Sequence, residues 1–121
     1  MQYHKLVVYQ RAVQYDEAAL PLIARVRRKD PSLADHLTRS GNSLLTSIAE
    51  GASADQSKMK ATSYRNGKRE AEEGAMCWEK AARYGWAERT AVLRAIALLE
   101  EVARMLGAMI IRFDRRAPDG T

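Results

Sequence analysis

The chain has 121 residues and a mass of 13.6 kDa, which bounds it to one domain of about 1–121. Hydrophobic residues make up 46% and charged residues 29%, a composition that excludes a disordered tail. With 20 Lys plus Arg against 15 Asp plus Glu, the net charge is +5 and the pI is near 9.6, a balance that suits an acidic partner.

Several function classes drop out at once. The longest apolar run, Met105 to Ile111, falls well short of the roughly 18 residues of a membrane span. The opening residues Met1 to Lys5 lack the apolar stretch of a secretory signal, so a reducing cytoplasm is the expected location. A single cysteine, Cys77, excludes an internal disulfide and zinc sites built on paired cysteines.

Ala, Arg, Glu, Leu and Met dominate between the few prolines and glycines, and no stretch alternates with a period of two. Four helices are predicted. The first runs from about His4 to Arg28, with Val8, Ala12, Tyr15, Ala19, Leu22 and Val26 spaced four and three apart as a packing seam. Leu6, Val13, Leu20 and Ile23 widen that surface, and Pro21 predicts a kink. The second helix starts at Asp30-Pro31, an N-cap followed by proline at the first helical position. Its stripe is Leu37, Gly41, Leu44 and Ile48, and Glu50-Gly51 predicts its end, with Gly51 as a left-handed cap.

Ser53-Ala54-Asp55-Gln56 fits a capping box for the third helix, from about Gln56 to Tyr84. The seam there is Tyr64, Gly67, Ala71, Gly74, Trp78 and Ala81, and Gly85 is its expected C-cap. Glycine inside a helix costs about 1 kcal/mol relative to alanine, so Gly67 and Gly74 imply a close neighbour. The fourth helix, about Ala87 to Phe113, carries two seams. One is Val92, Ile96, Leu99, Ala103, Leu106, Ile110 and Phe113; the other is Ala91, Ala95, Leu98, Val102, Met105 and Met109. So wide a face fits either a broad core stripe or a core stripe plus a subunit contact. The segment from about 115 to 121 is expected to fray. Four helices of about 25 residues joined by short turns predict an all-α, antiparallel up-down four-helix bundle.

Catalysis finds little support. His4 and His36 fall on different helices, and neither has a glutamate three residues before it, as a di-iron bundle requires. Cys77 has no histidine near it in sequence and reads as an inert thiol beside Trp78. No phosphate-binding glycine loop occurs. Glu70, Glu72, Glu73 and Glu79 form an acidic cluster, and Glu79 with Arg83 makes a favourable i to i+4 pair. The expected protein is not an enzyme and holds neither metal nor cofactor.

The cations are better organised. Lys58, Lys60, Arg65, Lys68 and Arg69 follow one another with no acid between them. At about 100° per residue, Lys58, Arg65, Arg69 and Arg83 lie opposite the third helix's seam, with Lys68 flanking. Such a stripe is either an ordinary solvated face or a track for phosphates. Two further groups, Arg25 to Lys29 and Arg112 with Arg115 and Arg116, close helices and are accounted for by the helix dipole. Tyr64, Trp78, Tyr84 and Trp86 have faces on which bases can stack, although Tyr64 and Trp78 belong to the seam.

Leu6-Val7-Val8-Tyr9-Gln10-Arg11-Ala12, Ser43-Leu44-Leu45-Thr46-Ser47-Ile48-Ala49-Glu50-Gly51 and Ala81-Ala82-Arg83-Tyr84-Gly85-Trp86 occur in that order. They resemble the Leu-x-Val-aromatic-Gln-basic-Ala, Ser-Ile-x-x-Asn-Ile-Ala-Glu-Gly and Ala-x-x-Leu-Gly-Tyr patterns of one family. It is the family of four-helix bundle proteins encoded in intervening sequences of bacterial 23S ribosomal RNA genes. Glu101 to Gly107 is similar to the related accessory proteins of diversity-generating retroelements. Ser47 stands where the family has Asn, Glu73 holds the acidic position of its Gly-Ser-x-x-Glu-Leu segment, and the aromatic-Gly-Arg after Glu-Gly is missing. The resemblance implies a bundle assembled as a ring-like homopentamer, and for the retroelement members it implies nucleic-acid binding beside a reverse transcriptase. The function expected is therefore a non-enzymatic oligomeric bundle that binds RNA or DNA through Lys58, Arg65, Lys68, Arg69 and Arg83. The alternative is a protein-interaction scaffold without direct nucleic-acid binding.

Overall fold

The computed structural model describes residues 1–117. A short 3-10 turn, Gln2–Lys5, leads into four helices: α1 (Val7–Arg27), α2 (Pro31–Ser53), α3 (Ser57–Arg83) and α4 (Arg89–Arg116). Each helix packs on its neighbours in the cyclic order α1, α2, α3, α4, with α1 closing against α4. The short connections make successive helices antiparallel. No strand occurs among the described residues, and no helix is long and apolar enough to cross a membrane.

The seams predicted for the first three helices are buried at every position. Asp30 caps α2 as its sequence demands, its Oδ1 accepting from Leu33 N–H at 2.9 Å with Pro31 behind it. α1 continues through Pro21. Leu20 turns away from the core and is 72% exposed. The start of α1 also differs from the single helix expected: Leu6 is extended, with ψ of 130°, and separates the 3-10 turn from α1. At the other terminus, Arg115 and Arg116 remain helical, while residues 118–121 of the expected frayed tail lie outside the described residues.

The two α4 seams merge into one broad core face. Val92, Ile96, Leu99, Leu106, Ile110 and Phe113 of one seam are buried, as are Ala95, Leu98 and Val102 of the other. Most of the double seam is thus spent inside the single chain.

The end of α2 corrects two expectations. Gly51 is not a left-handed cap; among the described residues only Gly85 has positive φ, 69°, closing α3 as expected. α2 runs on to Ser53 because Lys60, on α3, donates from Nζ to the carbonyls of Gly51 (3.0 Å) and Ala52 (3.1 Å). α2 has no basic residue in its own last turn, so this ammonium supplies the positive charge its C-terminus favours. Ser53 is consequently inside α2 rather than capping α3, whose N-cap Gln56 makes no side-chain cap. Gly51 instead makes room for Tyr64: a Cβ there would lie 2.8 Å from the ring's Cδ1 and Cζ. Gly67 and Gly74 serve the same end, with Leu106 Cδ1 and Leu99 Cδ1 at 3.3 and 3.1 Å from where a Cβ would be.

At the centre, Trp78 is fully buried and its Nε1–H donates to the Tyr15 hydroxyl at 2.8 Å, joining α3 to α1 across the bundle. Burial pushes the Tyr15 phenol up from 10.0 to about 12; the Trp78 bond opposes this and Asp16 adds to it.

This packing sets the expected response to substitution. Alanine at position 51 gains about 1 kcal/mol in helix propensity but drives a methyl into a buried ring, a strain of about 1–3 kcal/mol. Gly51→Ala is therefore expected to lower the urea midpoint, and Gly74→Leu to lower it further. Met76→Leu, at a 66% exposed position, is expected to leave it unchanged. For Tyr15 the fold favours the neutral phenol, so its contribution is complete below pH 10 and is lost as pH rises towards 12. Tyr15→Phe should be less stable near neutral pH, by about 1–3 kcal/mol for the unpaired indole N–H. It should also show a shallower alkaline loss than the wild type in unfolding titrations.

Candidate nucleic-acid interface

The five residues of the predicted basic stripe all lie on α3, but they are not equivalent. Lys58, Arg65, Arg69 and Arg83 are exposed and Lys68 is half-buried. Lys58 and Arg83 sit at opposite ends of the helix, about 37 Å apart at 1.5 Å per residue. Arg65 forms an ion pair with Asp114 of α4. Lys68 Nζ lies 3.4 Å from Glu72 Oε1, and Arg69 donates to Asn66 Oδ1 at 3.0 Å. These are solvent-exposed pairs, worth about 0–1 kcal/mol each, and a phosphate can displace them. Lys58 and Arg83 make no side-chain ion pair among the described residues.

The antiparallel packing brings together cations that lie far apart in sequence. At one end of the bundle, Lys60 from the start of α3 meets Arg112 and Arg116 from the end of α4 around the Phe113 ring. The signal was present in sequence as the i to i+4 pair Arg112 and Arg116 beside a seam phenylalanine. What sequence could not show was that Lys60 would reach over to the same ring.

At the opposite end, Arg25, Arg28 and Lys29 from the close of α1 share a cleft of about 350 Å³ with Gly85, Trp86, Ala87 and Glu88. Tyr84 stacks on Trp86, with ring centroids 5.0 Å apart and planes within 18°. Tyr84 is 60% exposed, so its outer face is open to a base, whereas Trp78 and Tyr64 are core residues. Among the described residues Glu88 is the one acid lining this cleft, and its carboxylate is occupied. It accepts from Ala91 N–H and Thr90 N–H as the N-cap of α4, bonds that hold it below the usual carboxylate range.

The waist of the bundle has a different character. α3 and α4 enclose an open groove of about 300 Å³ floored by Ala71, Ala75, Leu99 and Ala103, with Glu72, Glu79, Glu100 and Arg104 around it and exposed Met76 beside them. Burial, and then Glu73, push the Cys77 thiol up, which disfavours the nucleophilic thiolate. Among the described residues no cluster of His, Cys, Asp and Glu is arranged to hold a metal ion.

No curated protein and no solved structure matches the chain. A family model does, over residues 4–108, from the 3-10 turn through most of α4. With a four-helix bundle and a match across nearly its whole length, the chain belongs to the 23S rRNA-intervening sequence protein family.

Proposed function

We propose that this protein is a non-enzymatic, pentameric helical bundle that binds nucleic acid through phosphate contacts. The observation that carries this reading is the segregation of charge along the bundle axis. Lys58, Lys60, Arg65, Arg112, Arg115 and Arg116 gather towards one end, and Arg25, Arg27, Arg28, Lys29, Arg83 and Arg89 at the other. Asp16, Glu17, Glu70, Glu72, Glu73, Glu100 and Glu101 outnumber Lys68, Arg69, Arg104 and the Glu101-paired Arg11 in the middle. A polyanion is attracted to the ends and to the exposed Arg65 and Arg69 side of α3, which bridges them, and is repelled by the acidic remainder of the waist. The waist is where subunits would meet: the apolar floor of the α3–α4 groove, rimmed by Glu72, Glu79, Glu100 and Arg104, offers the contact, and Met76 stands at its border with the Arg69 and Arg83 side of α3. Repeated around a ring, the modest basic stripe of one chain becomes a continuous band. No motif for reading base edges accompanies these cations, so binding is expected to be largely independent of sequence.

The α3–α4 groove also favours a second reading, in which it takes a partner protein and the chain serves as a scaffold. Two measurements separate the readings. Light scattering at micromolar concentration is expected to give five times the 13.6 kDa of the chain. Met76→Glu should reduce that mass while circular dichroism keeps its helical signal. A monodisperse wild-type monomer would refute the pentamer.

Binding to a mixed-sequence RNA should weaken steeply with salt as counterions are released. The Arg65→Glu, Arg69→Glu double variant should weaken binding at every salt concentration and lower the salt slope by about 1 for each phosphate it no longer neutralises. Arg25→Gln with Arg28→Gln should cost less. Absence of wild-type binding at low salt would leave the scaffold reading standing.

A further inference from the structure

Phe113 closes the core at the end of the bundle where α2 stops and α3 starts, and its ring is surrounded by cations. Arg112 Cζ stands 4.7 Å from the ring centroid, Arg116 Cζ 5.6 Å and Lys60 Nζ 5.8 Å. Each cation is drawn to the ring by its quadrupole, but a neutral ring cancels none of their mutual repulsion. None of the three makes an ion pair among the described residues. The nearest acid in sequence, Asp114, is already paired with Arg65. The Lys60 ammonium is fixed in place by the Gly51 and Ala52 carbonyls, while Arg112 and Arg116 are exposed and held near it by the Phe113 ring alone.

These side chains line a cleft of about 310 Å³, with Gln2, Leu6, Tyr64 and Met109 among its other walls. Burial raises the Tyr64 phenol above its usual value, although Arg112 opposes this, so the wall keeps a neutral hydroxyl rather than a competing anion. Two guanidinium groups and an ammonium around one opening match a multiply charged oxyanion. Guanidinium forks pair with phosphate oxygens two at a time, and the ammonium adds a point charge.

We propose that this cleft binds a phosphate group, either a free diphosphate or phosphomonoester or the terminal phosphate of a nucleic-acid strand, with Arg112 and Arg116 as its principal donors. The site is a discrete pocket for one anionic group and does not depend on the sequence-independent binding proposed above.

The experiment uses the full chain at constant ionic strength, with thermal unfolding and calorimetric titration as readouts. Pyrophosphate, inorganic phosphate and a short oligonucleotide with or without a 5′-phosphate are the probes, and chloride is the control. Pyrophosphate or the phosphorylated strand should stabilise the fold saturably where chloride does not. Arg112→Gln with Arg116→Gln should weaken that binding about tenfold for each guanidinium removed, the usual weight of a charged hydrogen bond. Arg25→Gln with Arg28→Gln removes the same charge from the far end and should change it less than about twofold, since screening over that distance is nearly complete. If the first double variant loses its helical signal, Arg116→Gln alone should still weaken binding about tenfold. Pyrophosphate binding as tightly as the phosphorylated strand identifies a free ligand; a preference for the phosphorylated strand identifies a strand end.

Equal losses in the two double variants, or no response beyond that to chloride, would overturn the site. A chain that binds mixed RNA but none of these phosphates defeats this inference alone. One that binds pyrophosphate but no RNA defeats only the function proposed above.

Discussion

The hydrogen bond from Trp78 to Tyr15 is the constraint around which the bundle is arranged. An indole N–H buried without an acceptor costs about 1–3 kcal/mol, so the largest side chain in the core is accommodated best where an acceptor meets it. Tyr15 supplies that hydroxyl from the diagonal helix, at 2.8 Å. The two rings fit because their neighbours are small. Gly41 faces Tyr15 Cε2, and at Gly74 the space a Cβ would fill is bounded by Leu99, the Ser40 hydroxyl and the Tyr15 oxygen. This buried contact and the glycines around it thus fix how α1 and α3 meet across the core. The register of the helices in turn decides which side chains meet at the ends of the bundle. Lys60 reaches the last carbonyls of α2 because α2 and α3 pack in this register, and it meets the Phe113 ring, already flanked by Arg112 and Arg116 of the same helix, because α3 packs on α4.

Much of this was legible in the sequence, for a physical reason. A helix buries a face whose period is fixed by its geometry, so Val8 to Val26, Leu37 to Ile48 and Tyr64 to Ala81 announced themselves through spacing alone. What failed was inference from local signals whose meaning is tertiary. Gly51 follows a glutamate at the end of an apolar stripe, as a cap would, yet it is small because Tyr64 of the next helix lies against it. Ser53 matched a capping box, but Lys60, further along the chain, extended α2 past it. The two seams of α4 could not be apportioned between core and subunit contact until their neighbours were in place. The basic stripe was placed on the correct side of α3, since exposure follows the same period as burial. The partner of Arg65 and the arrival of Lys60 at Phe113 depend on contacts between helices, which no spacing within a helix contains.

Helix dipoles account for part of the charge pattern, and the remainder is informative. Cations near the C-termini of α1, α3 and α4 are favoured by the partial negative charge there, which covers Arg25, Arg28, Arg83, Arg112, Arg115 and Arg116. The dipole argument reverses for Arg89 at the N-terminus of α4 and for Lys58 and Lys60 at that of α3, where a positive charge faces unsatisfied N–H groups. At α4 the Glu88 cap offsets it. α3 has no acid in its first turn and no side-chain cap. Lys60 is explained by the end of α2, which has no basic residue of its own. Lys58 has no such compensation among the described residues, so the helix dipole does not account for its position. Arg83 stands at the opposite end of the same helix. An anion long enough to use both must run the length of the bundle along the exposed side of α3, where Arg65 and Arg69 lie between them. A short one must choose an end, and the end built around Phe113 gathers three cations on a single ring.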